Sequence, residues 1–288
     1  MTTKFIQEAQ NILTTDQATE GSLLIEKKIY DELIEEVEKN LIPRTEAAHY
    51  IAPAAIPGSS IDIDLATPDT MKVRIIGEGA EAPLSAPAFT STNLKPKKYA
   101  TRIVTSTEMK EDGKWDLLAF SVRLAGKRLA ENETNLIITA LDGAGTTVAG
   151  GAAITIANLT TGMQGLEDND YTPTTLIVGP EVLNDLRQID TFVEVDKSGS
   201  TEMLQRGFLG TIFGMKVYRF SRNAAPSTTY SKYAYIWDKT EAYAIAEKRP
   251  ITVENYVLPS HDISGAVITQ RIVVSLLRSN AVAKITTA

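Results

Sequence analysis

The chain has 288 residues, about two domains at roughly 150 residues each, and ample apolar material for a buried core. Hydrophobic residues make up 43% and charged residues 23%, the balance of a folded protein, and the net charge of −7 argues against a general basic surface that grips nucleic acid. The chain has no cysteine, which excludes disulfides, thiolate zinc sites, iron–sulfur clusters and thiol nucleophiles, and no run approaches the roughly 18 apolar residues of a membrane span.

Met1-Thr2-Thr3-Lys4 has no apolar signal-peptide core, so the product is expected to stay in the cytosol where it is made. From Ser22, Ile25, Ile29, Leu33, Val37 and Leu41 recur every four residues, which predicts an amphipathic helix that Pro43 ends. Its glutamates and lysines read as a solvated face. From Ala48 to Thr107 the pattern is β. Ile61-Asp62-Ile63-Asp64-Leu65 alternates as a half-solvated strand does, Met71–Ile76 is a second extended run, and Phe89–Lys95 and Tyr99–Ser106 return. The stretch Gly77–Pro87 between them has no periodicity. The whole reads as a projecting β-arm over 57–100 with little core of its own, which needs a neighbour to lie on.

Trp115 opens the strongest helix: Trp115, Leu118, Val122, Ala125, Leu129, Leu136 and Ala140 follow three- and four-residue steps, and Leu117, Leu124 and Ile137 broaden the apolar side. Asp142-Gly143 stops it, so about 26 residues would run roughly 39 Å as a structural spine. The small-residue stretch Gly143–Gly151 lacks the Lys-Ser/Thr ending of a phosphate loop and follows a helix, so it reads as a flexible linker. Leu176–Gly179 reads as a buried strand, with Pro180 opening a helix lined by Val182, Leu183, Leu186 and Ile189. Gly210–Tyr218 suggests a turn into a strand, and Tyr233–Trp237, Ala242–Ala246, Ile251–Val253, Ile268–Leu277 and Ala281–Ile285 are further strands.

Chemistry is scarce. The two histidines, His49 and His261, show no metal-ligand spacing, no nucleophile elbow occurs, and Trp115 and Trp237 lie in apolar patterns that favour core packing. No catalytic residue, metal or cofactor is expected. Lys95, Lys97 and Lys98 form a short cationic cluster without interleaved aromatics, which favours pairing with acidic groups of a neighbouring subunit over nucleic acid.

This order of elements resembles the major capsid proteins of tailed double-stranded DNA viruses, the Hong Kong bacteriophage-type fold that encapsulins share. The resemblance rests on Gly77–Glu81 through Phe89 as the tip of the extended loop, and on Lys97–Ser106 leading to the helix from Trp115 to Gly145. Thr175–Glu181 and Phe213-Gly-Met-Lys-Val217 add to it. It implies an α+β fold with an N-terminal arm and helix (1–42), a peripheral domain (43–142 and 249–288) that carries the extended β-hairpin loop, and an axial domain (143–248). The implied function is a structural, non-enzymatic subunit that self-assembles as pentamers and hexamers into an icosahedral shell around viral DNA, contacted non-specifically. Assembly would occur in the host cytoplasm, with separate scaffold, portal and decoration proteins as possible partners. Glu78, Glu81, Leu84, Phe89, Lys95, Lys97 and Lys98 are the implied intersubunit contacts. Some relatives weld subunits through a Lys–Asn isopeptide bond assisted by a Glu. Here the tip 77–89 has no lysine, Asp262 and Thr269 stand where the Asn and Glu would be expected, and Asn280 is only a loose partner for the lysines, so a non-covalent shell is expected. With about 20 residues ahead of the first strong helix, no long scaffolding segment is expected. The alternative is an encapsulin-type shell housing a cargo enzyme. A cytosolic enzyme of mixed fold is disfavoured by the shortage of His and Cys.

Overall fold

The computed structural model describes residues 44–56, 58–67, 73–79, 81, 84, 86–106, 108–109, 117–189 and 211–287. The expected N-terminal helix, Met71 and Trp115 lie outside the described residues. Among the described residues, fifteen strands and α-helices follow in chain order: β1 (His49–Ile51), β2 (Ile61–Thr67), β3 (Ala88–Leu94), β4 (Lys97–Ser106), α1 (Leu117–Leu141), β5 (Thr146–Ala149), α2 (Ile156–Glu167), β6 (Thr175–Val178), α3 (Pro180–Gln188), β7 (Thr211–Ile212), β8 (Met215–Arg219), β9 (Tyr233–Trp237), β10 (Tyr243–Leu258), β11 (Ile263–Leu276) and β12 (Val282–Thr286). They form three sheets: a four-stranded sheet ordered β1-β10-β11-β4, a six-stranded sheet ordered β5-β12-β9-β6-β8-β7, and the β2-β3 ribbon. None of the described helices is long and apolar enough to cross a membrane.

The six-stranded sheet is built where sequence runs are most apolar. Every side chain of β6 is buried, as expected of a central strand with a parallel neighbour (β8) on one side and an antiparallel one (β9) on the other. On one face Val182, Leu183 and Leu186 of α3 and Leu159 and Leu166 of α2 complete a core with Leu176, Val178, Ile236 and Ile285. On the other face Ile137, Ile138 and Leu141 of α1 meet Ile177, Tyr235, Trp237 and Tyr243, so the spine helix ends against this sheet. Earlier along α1, Val122, Ala125 and Leu129 pack on Ile251 and Ile268 of the four-stranded sheet. One helix therefore bridges both sheets. Pro180 at the first turn of α3 and Thr155 capping α2, its side chain accepting from the Asn158 amide, are local signals that set where these helices begin.

Several expectations are revised. Gly143–Gly151 is not merely a flexible linker: it holds β5, which pairs in parallel with β12. That pairing also removes the last strand from the four-stranded sheet, so residues 249–288 do not stay together. β10 and β11 belong to one sheet and β12 to the other. The strands Ala242–Ala246 and Ile251–Val253 are one strand, β10, interrupted by register shifts between Glu247 and Thr252, where Pro250 can lack a ladder donor without cost. The arm ends sooner than residue 100, because Lys97–Ala100 already pair with Thr269–Ile272. Leu124 does not broaden the core side of α1. It and Phe120 are exposed, one turn apart, on the side away from Val122 and Leu129.

β11 accommodates its two neighbours closely at Gly265, which is paired with Tyr256 on one side and Val104 on the other. A Cβ there would lie 2.0 Å from the Ile103 carbonyl oxygen, a backbone atom that cannot swing away. Gly265→Ala is expected to lower stability by about 1–3 kcal/mol, as overpacking does. Gly77→Ala, where a Cβ meets nothing within 4 Å, should be neutral. Thermal denaturation followed by circular dichroism of the two variants checks this contrast.

Candidate assembly interface

The arm is a two-stranded ribbon in which β2 and β3 pair in register from Ile61↔Leu94 to Thr67↔Ala88. A ribbon of two strands is marginal by itself, and its root is fastened to the body in two ways. Leu94 is buried with Ile56, Ala244 and Ala246, and Ile61 and Ile63, the inward half of the alternation, pack on the same cluster with Val273 and Leu277. Three cationic side chains then donate to backbone carbonyls of the arm. Lys248 Nζ reaches Ile56 O (2.6 Å) and Gly58 O (2.7 Å), Arg278 Nη2 reaches Ala66 O (2.6 Å), and Arg271 Nη2 reaches Pro96 O (3.4 Å). The outward residues of β2 are Asp62 and Asp64, and Asn93 donates to Asp62 across the ribbon.

Val73, Ile75 and Leu84 are fully exposed, Phe89 is 68% exposed, and Gly79 turns the chain with φ of 79°. Three bare aliphatic side chains between the strands, and the phenyl ring of Phe89 on β3, are exposed apolar groups of the kind that marks a contact site. Glu78 and Glu81 flank the turn, both exposed. Lys95, Lys97 and Lys98, also exposed, leave the arm at its other end. Six strand steps separate Phe89 from Lys95, about 20 Å. Glu78, Glu81 and Leu84 lie in the segment that joins β2 to β3 and Phe89 near the start of β3, with the lysines beyond the other end of that strand.

The body that carries the arm is held by a polar clip that sequence reading did not identify. Arg44 donates Nε and Nη2 to Glu133 of α1 (2.8 and 2.9 Å), and Nη1 and Nη2 to Glu247 of β10 (3.0 and 3.3 Å). Gln270 of β11 donates to Glu247 (3.2 Å), and the Tyr50 hydroxyl donates to the same carboxylate (2.5 Å). Burial, and then Glu247 itself, push the Tyr50 phenol up to about 12. Two residues on, the buried Glu46 faces the other sheet. It accepts from Thr175 of β6 (2.8 Å) and from Lys216 and Tyr218 of β8 (3.0 and 3.1 Å), while its backbone oxygen takes Trp237 Nε1 (3.1 Å). Burial opposes ionisation of Glu46, but these donors outweigh it and hold its pKa below the usual carboxylate value. Asp142, at the end of the spine, is likewise held low. Burial works against its charge, and Lys284 (2.5 Å), Tyr230 and Tyr235 (3.1 Å each) more than compensate. The signal that could have pointed to the clip is the lone polar run Arg44-Thr45-Glu46 between a proline and a strand, but nothing local shows that its partners lie 89 to 203 residues away.

His49 is exposed at β1 and His261 at the turn after β10, and no group of three or more His, Cys, Asp or Glu side chains among the described residues could hold a metal. Trp237 is fully buried in the core. Asn280 donates to Asn169 (3.3 Å), and the Thr269 hydroxyl bonds that of Thr252 (2.8 Å).

A two-sheet body bridged by one long helix, with a hairpin arm reaching out of it, is the Hong Kong bacteriophage-type capsid fold. The same architecture is found in the mature capsid of bacteriophage PhiM1 (TM-score 0.66, 13% identity, 86% of this chain and 87% of that one). It is found in Mycobacterium phage Che8 (TM-score 0.64, 16% identity, 79% and 84%) and in a virus-like particle from Pyrococcus furiosus (TM-score 0.61, 13% identity, 91% and 99%). No curated protein sequence matches the chain. A family model described as phage capsid protein matches residues 89–285, and the chain belongs to that family. It is a structural protein whose copies assemble into a capsid.

Arg44 is shared by two buried carboxylates, so its removal takes from both the cation that faces them and leaves only neutral donors. Arg44→Ala is expected to cost about 3–5 kcal/mol, read from urea denaturation of the purified subunit. Glu46 and Asp142, with folded pKa values below their ordinary 4.5 and 3.8, bind fewer protons folded than unfolded. Their contribution is therefore complete above those ordinary values and is lost as pH falls through the folded ones. Thermal midpoints should drop as pH goes from about 5 to 3, and less steeply in a Glu46→Gln, Asp142→Asn variant.

Proposed function

We propose that this protein is the major capsid protein of a tailed virus and forms a closed icosahedral shell around its double-stranded DNA, with no covalent bond between subunits. The observation that carries this reading is the arm: its root is fastened to its own body, and Val73, Ile75, Leu84 and Phe89 along it are exposed. Contacts that join one surface to a different surface of the next copy close into rings when the rotation allows, which suits pentamers and hexamers. In this reading Glu78, Glu81, Leu84 and Phe89 meet a neighbour, and Lys95, Lys97 and Lys98 receive one. The α1 helix and four-stranded sheet form the peripheral part. The six-stranded sheet, with β12 added to the 143–248 region, forms the axial part around local symmetry axes. DNA would touch the inner wall without base recognition. The chain's net charge is −7, so the wall does not condense DNA by charge, and packaging has to be driven from elsewhere.

The absence of lysine from the tip supports the non-covalent shell. A second reading, a compartment that houses a cargo enzyme, is favoured by the end-to-end likeness to the Pyrococcus particle. Negative-stain electron microscopy of the purified protein should show closed shells, and denaturing electrophoresis of those shells should show monomers alone. Compact monomers at high concentration would overturn the shell, and a ladder of covalent oligomers would overturn the non-covalent assembly. Shells carrying a co-purifying enzyme and no nucleic acid in their native host would favour the compartment.

A further inference from the structure

The first half of the spine helix has one side open to solvent. Phe120 and Leu124 are 55% and 46% exposed there, while the opposite side of α1 packs on the four-stranded sheet through Val122, Ala125 and Leu129. A lone exposed apolar residue is ordinary, but a phenyl ring and a leucine one helical turn apart form a continuous apolar strip. The charges around the strip have one sign. Arg123, Lys127 and Arg128 are exposed, whereas both carboxylates of α1, Glu131 and Glu133, are buried. Glu131 follows Lys127 by one turn, on the same side of the helix. One of its oxygens takes Arg128 (2.7 Å), and the other, also buried, has no hydrogen-bond partner. The strip thus combines an apolar pair, a cationic border and an acceptor that lacks a donor, in a chain of net charge −7.

We propose that this strip seats an N-terminal stretch of the same chain, residues 22–41, as an amphipathic helix lying beside α1. Those residues precede the described part, and their sequence matches the strip. Ile25, Ile29, Leu33, Val37 and Leu41 make an apolar stripe at four-residue spacing. Residues 1–43 hold nine Asp and Glu against four Lys, so most of the chain's excess negative charge lies there. The chain also enters the body at α1 itself, because Arg44 is bonded to Glu133 across a separation of 89 residues. Two helices side by side both advance about 1.5 Å per residue, so this separation carries along them. Rounding α1 from the sheet side, where Glu133 sits, to the open side takes about 10 Å, two or three extended residues. That shift sets Ile29 beside Phe120 and Leu33 beside Leu124. The same register sets Glu36 beside Lys127, and Asn40, whose side-chain amide can donate, beside the unpartnered oxygen of Glu131. The proposal goes beyond the shell reading and does not depend on it. Nucleic-acid phosphate is the competing occupant of a cationic strip. The observations favour the segment, because Phe120 and Leu124 offer nothing to a phosphate and the segment is tethered at α1.

The test uses the full chain, which has no cysteine, so an introduced pair can bond only to itself or to its copies. Leu124→Cys is combined in turn with Ile29→Cys, Leu33→Cys and Val37→Cys, and a mild oxidant is added. A disulfide needs Cα atoms within about 7 Å, and successive stripe positions are about 6 Å apart. At least one pair should therefore close within the chain, turning most of the protein into a faster-migrating monomer band that reductant reverses. Thr139→Cys, exposed on another side of α1, should not link to any of the three. Lys127→Glu should slow the favoured link at least about threefold, since it sets a carboxylate beside Glu36. Circular dichroism melts of the reduced chains check folding, and Phe120→Cys replaces Leu124→Cys if the leucine variant melts early. No link in any pair, or equal linking at Thr139, overturns the proposal. Linked dimers in place of the fast band give the seat to another copy's segment and overturn it as stated. Chains that fail to link, but whose shells lose nucleic acid on Lys127→Glu, overturn it in favour of phosphate.

Discussion

The body of this subunit depends on a two-sided clip three residues long. Arg44 binds the spine helix and the four-stranded sheet through Glu133 and Glu247, and Glu46 binds the six-stranded sheet through Thr175, Lys216, Tyr218 and its backbone link to Trp237. Two sheets that share one helix could pivot about it, because apolar packing is non-directional. Charge-assisted hydrogen bonds with fixed donor geometry are directional, and a guanidinium forked between two carboxylates holds its partners in one arrangement. Asp142 makes a second such fastening at the end of the spine, gathering Lys284, Tyr230 and Tyr235 from the six-stranded sheet and its flanking turn.

That rigidity gives the arm a fixed base. A ribbon fastened through Leu94, Ile61 and Ile63, and by Lys248 and Arg278 to its carbonyls, leaves the body in a defined direction. The tip is apolar and acidic, and it is carried well clear of the basic root. The subunit is therefore asymmetric in shape and charge, which suits addition of each copy to the next rather than pairing of like faces. Val73, Ile75 and Leu84 are bare in the isolated subunit, and burying such apolar surface would return about 25 cal/mol per Å².

Much of the architecture can be read from local pattern. The spine helix, β2 with its strict alternation, the buried run of β6, the Pro180 helix start and the return strands all have periods or end signals that a short window contains. The elements that escape such reading share one property: their stability comes from distant partners. β5 is four residues, Thr146–Ala149, among glycines, and it is a strand because β12, 137 residues later at Ala283↔Thr146, supplies its ladder. β10 looks like two strands because Lys248-Arg249-Pro250 interrupts the apolar pattern, yet β11 pairs along both halves. α2 has small and β-branched residues in place of a strong apolar stripe, and the sheet beneath it provides the burial.

The sequence by itself carried the hairpin, the spine and, through their order, the resemblance to the capsid family, in a chain free of cysteine and poor in histidine. The tertiary structure alone decided that Arg44 and Glu46 fasten the sheets, that β12 crosses to the second sheet, and that Arg271 stands opposite Lys98. Local sequence encodes which faces are apolar, because periodicity is a property of a few neighbouring residues. It does not encode which residues stand opposite one another, because strand register depends on pairing across tens to hundreds of residues and appears only when the whole chain has closed.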